Sequence, residues 1–427
     1  MLRLAVFKGC SKLWNMHFYK IALVFVVIAG VVSLSIAENI DRAIIHSSGT
    51  IIPKITAKSG YWRDIQDAIN IAASHGISEV YIPEGTWNFV NPGESWTGAR
   101  VVIPAGVSLF GAPTERYENG SVKEWKTVLV MPWEMPGDKS YIPPHWFLVQ
   151  GNLDPNKPSR FSDIKMVGYR EFNHSASANY LAIRVVGVMN FRIDHCCFKE
   201  FLEGVQIGTG YGALRACGVI DHCIFDNEYV YYNLDWSTRF VGYAITCYRQ
   251  ESTTEWTNMT NILGKYLDYT VFIEDCVFTK WRSVATAEHG GHFVFRHNIV
   301  RNGLAHGEMD IHPNWNPPGV SGRAAEIYDN IFTDIDPEGN PGPHFVWLLY
   351  SGGGVFFNNT VSSYSLIILD SNCGWNNSFY PRDVYIWNNN LGNATLEDGP
   401  MEENVHYFLY KPDWYTPYPY PHPLTST

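Results

Sequence analysis

Seven short segments of the chain repeat one phrase: Ile193-Asp194-His195-Cys196-Cys197-Phe198, Ile220-Asp221-His222-Cys223-Ile224-Phe225, Ile273-Glu274-Asp275-Cys276-Val277-Phe278, Phe295-Arg296-His297-Asn298-Ile299-Val300, Ile327-Tyr328-Asp329-Asn330-Ile331-Phe332, Phe356-Phe357-Asn358-Asn359-Thr360-Val361 and Ile386-Trp387-Asn388-Asn389-Asn390-Leu391. Each begins and ends on an apolar residue and carries Cys or Asn at its fourth place. From Cys196 to Asn389 the fourth places lie 27, 53, 22, 32, 29 and 30 residues apart. The interval of 53 reads as two turns' worth of chain with an excursion around residues 249–270. A sequence that returns to one phrase in this way describes a coil of β-strands, each turn stacked about 4.8 Å from the last. Like residues then meet along a column. Asn in such a column passes amide hydrogen bonds along the stack, and Cys is small and apolar enough to fill the same slot. Cys196, Cys223 and Cys276 are accordingly expected as core packing, not as metal or redox groups.

Composition agrees with one long core. Of 427 residues, 46% are hydrophobic, 15% aromatic and only 17% charged, against roughly 25% charged in average chains. This excludes a disordered chain, a collagen and a coiled coil. A net charge of −11 argues against nucleic acid as a partner, because a basic face is the first requirement there. The repeat assigns Phe198, Phe225, Phe278, Phe295, Phe332 and Phe356 to inward columns. Stacked strands with turns of variable length form a solenoid, so one domain is expected where length alone allows two or three.

The start of the coil is readable too. Ile65, Ala68, Ile69 and Ala72 recur at helical spacing, with Gly76 as terminator, which predicts a helix capping the open strand edges. It leads into the strand-then-turn phrases Tyr81-Ile82-Pro83-Glu84-Gly85-Thr86 and Val101-Val102-Ile103-Pro104. The passage from Trp62-Arg63-Asp64-Ile65-Gln66-Asp67-Ala68-Ile69 through Thr86, taken with the repeat, resembles the entry of the pectin-lyase-like right-handed parallel β-helix superfamily. The resemblance covers roughly residues 55–395 and implies an all-β fold, a single-stranded right-handed parallel β-helix with an N-terminal capping helix over residues 60–395. That superfamily holds polysaccharide lyases, glycoside hydrolases, phage tailspikes and non-catalytic surface proteins. The chain has no Arg-x-Pro-x-x-Arg segment like that of pectate lyases, and none of the Asp-Asp and Gly-His-Gly motifs of polygalacturonases.

Both ends have their own character. Arg3, Lys8, Lys12 and Lys20 precede an apolar run from Ile21 to Ile36, with Ser35 and Ala37 as small residues. Residues 1–37 therefore read as a signal peptide or an uncleaved N-terminal anchor, and residues 38–59 as a linker. Export places the protein outside the cell or on its surface, with the membrane touched only through that segment. Export also gives meaning to the glycosylation triplets at Asn119, Asn173, Asn258, Asn358, Asn376 and Asn393. Residues 396–427 form a Pro/Tyr-rich tail without a core of its own.

Chemistry concentrates between Glu288 and His312, where five of the 15 histidines fall. Glu308, Asp310 and His312 alternate with Met309 and Ile311, so in a strand the polar groups share one face. Glu288 lies twelve residues after Cys276, and Asp310 twelve after Asn298, which predicts the two acids on neighbouring turns in one column. Thr286 and Glu308 would share another. The candidate catalytic set is Glu288, Asp310, His312, His289 and Glu308. Paired acids share a proton, bind a cation or divide acid and base roles. For a lyase, Ca²⁺ held by Glu288, Glu308 and Asp310 would neutralise a uronate while His289, His312, Arg301 or Arg323 takes the proton. For a hydrolase, Glu288 and Asp310 would be acid and base.

Glu274 and Arg296 are expected as a surface ion pair, and His292 and His297 as turn or surface residues. Tyr328, Phe357 and Trp387 form an outward aromatic column that either packs under the tail or serves with Arg323 to bind a sugar. The resulting expectation is an exported carbohydrate-active protein cleaving a polysaccharide in a groove on a parallel sheet. The alternatives are a non-catalytic glycan-binding surface protein and a metal-dependent hydrolase using the histidines. The net negative charge prefers a neutral or calcium-bridged glycan.

Overall fold

A computed structural model describes residues 40–45, 51–91, 93–94, 100–118, 120–131, 145–168, 181–208, 215–227, 242–249, 261–302, 309–315, 318–334, 345–362, 366–369, 381–399 and 401–426. The strands wind into three sheets. The first sheet runs from Ile40–Ile45 to Tyr407–Phe408 and is parallel throughout apart from its opening pair, Ile40–Ile45 with Ile51–Thr56. A second sheet of short strands and a third sheet, from Val101–Pro104 to Thr395–Glu397, are wholly parallel. The chain passes from first to second to third sheet once per turn. This is a parallel β-helix.

The repeated phrase forms the corner between first and second sheets. Its opening residues, Ile193, Ile220, Ile273, Phe295, Ile327, Phe356 and Ile386, pair turn on turn and point into the core. Its third residues, His195, His222, Asp275, His297, Asp329, Asn358 and Asn388, all have φ between 52° and 59°. His, Asp and Asn tolerate that left-handed backbone better than β-branched residues, which explains the polar third place. The fourth residues form the expected ladder. Asn298 Nδ2 donates to Asn330 Oδ1 at 3.2 Å, Asn330 Nδ2 to Asn359 Oδ1 at 3.0 Å, and Asn359 Nδ2 to Asn389 Oδ1 at 3.1 Å. Cys196, Cys223 and Cys276 continue the column as buried, unbridged thiols.

The 53-residue interval departs from expectation. The backbone N–H of Cys223 reaches Cys276 Sγ at 3.4 Å, and Asp221 pairs with Glu274, so these phrases lie on adjacent turns. One turn with long connections replaces the two inferred from spacing.

The helix Trp62–His75 buries Ile65, Ala68, Ile69 and Ala72 and ends on Gly76 at φ 66°. It caps the coil chemically as well as sterically. Gln66 accepts from Val102 N at 2.6 Å and donates to Val102 O at 3.1 Å, supplying the edge strand Val101–Pro104 with bonds that a further turn would otherwise make. The Ile21–Ile36 run lies outside the described residues. Among the described residues no helix is long and apolar enough to cross a membrane. Asn358 and Asn393 are exposed, and the other glycosylation triplets fall outside the described residues.

The tail packs against the first sheet. Glu274 and Arg296 are fully buried and 2.7 Å apart, with His422 N donating to Glu274 and Arg296 donating to the carbonyl of Tyr418. The expected surface pair is thus an interior one, because the tail covers it. His292 is likewise interior, with Nε2 3.0 Å from the buried Glu326.

Candidate functional site

The polar face of the third sheet is built by strand alternation. Val205 and Ile207, Ile245 and Cys247, Ala285 and Ala287, and Met309 and Ile311 fill the core, so the residues between them face outward. Register then aligns Arg184, Gln206, Thr246, Thr286 and Asp310 in one column, each a turn from the next. Tyr248 and Glu288 pair in the adjoining column. His312, one residue beyond Ile311, continues it and donates its backbone N–H to Ala287 O at 3.0 Å.

The structure therefore brings Glu288, His289, Asp310 and His312 together, with one correction of register. Asp310 sits opposite Thr286, not opposite Glu288, and Met309 sits opposite Ala285. Ten residues separate Cys276 from Thr286 and twelve separate Asn298 from Asp310, so the later turn takes two extra residues before entering the third sheet. The predicted column of two acids becomes a diagonal pair with His312 between them. Glu308 lies outside the described residues, as does its predicted pairing with Thr286.

The electrostatics separate the two imidazoles. His312 Nδ1 is 3.0 Å from Asp310 Oδ2. Burial opposes its charge, but the Asp310 carboxylate, its hydrogen bond and the charge of Glu288 outweigh that, and the imidazole is pushed up to about 9. His289 is buried in the following turn at φ 48°, beside Tyr248 at a ring separation of 5.7 Å. Burial, reinforced by the nearby His312, lowers it to about 4. At neutral pH one ring is therefore a cation and the other a neutral base. Burial also raises the Glu288 carboxyl, with Asp310 adding to the effect while His312 and the Tyr248 hydrogen bond oppose it.

Several members carried no sequence signal. Tyr248 hydrogen-bonds Glu288, and the Tyr243 hydroxyl lies in the field of Glu288 and Asp310. Glu203, at the start of its strand, is raised to about 7 by burial, with the charge of Glu288 adding to this. A lone Tyr or Glu at a strand end has no periodicity to betray it; only the register of the third sheet would have found them. Among the described residues no three carboxylate, imidazole or thiol groups converge as a metal site.

The other candidates lie elsewhere. Arg323 is buried in a small pocket beside Asn261, Arg382 and Asp383, and Arg301 is exposed on the second sheet. Tyr328, Phe357 and Trp387 do stack, at centroid separations of 4.7 and 4.3 Å. Tyr415 of the tail meets Phe357 and Trp387 edge-on, and Tyr328 and Phe357 are 2% and 4% exposed. A sugar platform needs an open ring face, and these two rings have none. Their position is the packing one, under the tail.

No protein-family model and no curated protein matches the chain. Solved structures do resemble it. The tailspike protein of E. coli bacteriophage HK620, in complex with a pentasaccharide, is 14% identical with a TM-score of 0.45, over 83% of this chain and 58% of its own. PfbA, a surface adhesin of Streptococcus pneumoniae, is 13% identical with a TM-score of 0.44 over 78% of each chain. The A-module of the Azotobacter vinelandii mannuronan C-5 epimerase AlgE6 is 13% identical with a TM-score of 0.43, over 83% of this chain and 94% of that one. The chain thus spans 58% of the length of the tailspike it resembles. The likeness is one of fold, and three parallel sheets wound in one coil with an internal Asn ladder fix that fold independently. It is a parallel β-helix. In this β-helix the polar face of the third sheet is the candidate site.

Proposed function

We propose that this is an exported protein, acting outside the cell or at its surface, that cleaves a polysaccharide laid along the third sheet. One observation carries the reading. Gln206 Oε1, Thr286 Oγ1 and Asp310 Oδ1 are buried side-chain atoms without hydrogen-bond partners, and they fall in one outward column, in which Thr246, on the turn between Gln206 and Thr286, hydrogen-bonds Glu203. Buried polar groups are ordinarily paired, so a row of unpaired ones beside titratable groups marks a place built to meet a polar ligand. In this reading Glu288, whose carboxyl burial shifts upward and whose position Tyr248 fixes, protonates the glycosidic oxygen. Asp310, with His312 bound to its other oxygen, presents Oδ1 to the water or to the sugar carbon. The neutral His289 is the alternative proton acceptor if the reaction is an elimination.

The test is the full chain and its Asp310→Asn and Glu288→Gln variants against a polysaccharide panel. Cleavage is expected from the wild type, with each variant reduced about 100-fold or more at an unchanged melting temperature. Absorbance of unsaturated uronate identifies a lyase and new reducing ends alone a hydrolase. Full activity in Asp310→Asn would sink the assignment. Binding without cleavage would make this a glycan-binding protein.

A further inference from the structure

Where the chain turns from the third sheet back into the first, a cavity adjoins the candidate site. It has a volume of about 230 Å³, and its lining includes Asn261, Arg323, Gly352, Gly353, Arg382 and Asp383. Three successive turns build it. Gly353 N donates to Arg323 O at 3.2 Å and Arg382 N to Gly352 O at 2.8 Å, in line with the pairing of Ala324 with Gly353 and of Gly354 with Val384. Arg323, Gly352 and Arg382 therefore follow one another in a column, two arginines with a glycine between them. The backbone fixes that gap. Residue 352 has a φ of 74°, which favours glycine, and a Cβ on Gly353 would fall 2.5 Å from Arg382 O. Arg323 is 5% exposed, so one of the two cations is held at the cavity wall away from bulk water.

We propose that this gap takes a carboxylate or sulfate group carried by the glycan. That the group arrives on a glycan rests on the reading of the third sheet as a groove; the anion site stands on the cavity alone. Charge is the first argument. Among the described residues lining the cavity, Arg323 and Arg382 bring two cations and Asp383 the one acid, so a further anion between the guanidinium groups offsets their mutual repulsion. Spacing is the second. Backbones two turns apart are separated by about 9.6 Å, which leaves room for an oxyanion accepting from both guanidinium forks. Position is the third. Arg323 N donates to Gly291 O at 2.8 Å, two residues beyond His289, and Ser321 Oγ donates to His312 O at 2.8 Å. The cavity thus adjoins the corner that carries both imidazoles. The net charge of −11 disfavours an acidic chain at long range, and the two arginines reverse that preference locally.

The experiment is calorimetric titration of the full chain with hexagalacturonate, with its fully methyl-esterified form, which keeps the rings and loses the charge, and with sodium sulfate alone. Each titration is run with and without EDTA. The acidic hexamer is expected to bind about tenfold more tightly than the ester, with or without EDTA. Arg382→Gln should abolish that preference at an unchanged melting temperature. Asp383→Asn should strengthen the acidic hexamer about threefold by removing a competing anion. Asn tolerates the φ of 57° at that position, so the backbone is kept. Opposite effects from two neighbouring substitutions are a result that lost packing would not give. An acidic hexamer that binds no better than the ester, in the wild type and in Asp383→Asn, would overturn the glycan-borne acid. Sulfate binding that depends on Arg382 would then leave the gap as a site for a free small anion, and its absence would overturn the anion site as well. Loss of the acidic hexamer in EDTA would overturn the arginines in favour of a bridging cation. An Arg382-dependent preference for the acid, together with full activity in Asp310→Asn, would keep the anion site and fail the assignment of the groove.

Discussion

His312 and His289 show how far neighbouring residues of one type can be driven apart. Asp310 and Glu288 favour the charged form of His312, whereas burial and the charge of nearby His312 disfavour that of His289. The linkage follows from the sign. A histidine raised from 6.5 to about 9 binds its proton more tightly in the folded state, so its stabilisation is complete below pH 6.5 and is lost as pH rises toward 9. The loss is on the order of 1–3 kcal/mol for the pair. The wild type should therefore become easier to melt between pH 6.5 and 9, and His312→Gln should remove that slope while lowering stability at pH 6. Proton NMR of the His312 ring should titrate near pH 9. A midpoint near 6.5 would show that Asp310 does not hold the imidazolium. The acids and histidines of this site were legible as a cluster, because five histidines within Glu288–His312 stand out from any background. Their mutual register was not, since two extra residues in a turn leave no mark on the pattern.

At the scale of the element, the Asn ladder was the most legible feature because stacking forces like residues into one column. It is also where the sequence bears most directly on stability. Asn330 Oδ1 accepts from both the backbone N–H and the side-chain amide of Asn298, and its Nδ2 donates to Phe295 O, Tyr328 O and Asn359 Oδ1. Asn330→Ala would strand donors and carbonyls that are all interior, at a cost of about 2–4 kcal/mol. Asn298→Cys should cost less, because Cys276 on the preceding turn already accepts a backbone N–H through its sulfur at 3.4 Å. Urea denaturation of the two variants checks the order, and a loss below about 0.5 kcal/mol for Asn330→Ala would reduce the ladder to a by-product of the fold. The strands of the third sheet were less legible. Their outward residues differ from turn to turn, Gln206, Thr246, Thr286 and Asp310, so no repeat announces them.

For the whole molecule, the decisive element is the one with no core of its own. The tail closes the outer face of the first sheet, and its tyrosines serve a buried charge. Glu326 is fully buried and accepts from Gly264 N at 3.0 Å, Tyr415 Oη at 2.7 Å and Tyr418 Oη at 3.1 Å, with His292 Nε2 3.0 Å away. Tyr420 adds a bond to Asp275 at 2.6 Å. From sequence the tail's prolines announced an extended segment, but nothing local announced that acids far upstream would wait for its hydroxyls. A chain ending at Lys411 would open Glu326, the Glu274–Arg296 pair and the Tyr328–Phe357 stack to water. The bonds lost and the ring surface exposed together amount to roughly 5 kcal/mol or more. The truncated protein should melt well below the full chain and bind more of a hydrophobic dye. Tyr415→Phe, which keeps the ring and removes one bond to Glu326, should cost about 1–2 kcal/mol without dye binding. Because the tail covers the first sheet and the candidate groove lies on the third, neither change should alter glycan affinity at a temperature where both proteins are folded. A truncated chain with the wild-type melting temperature would mean that the tail merely rests on the coil.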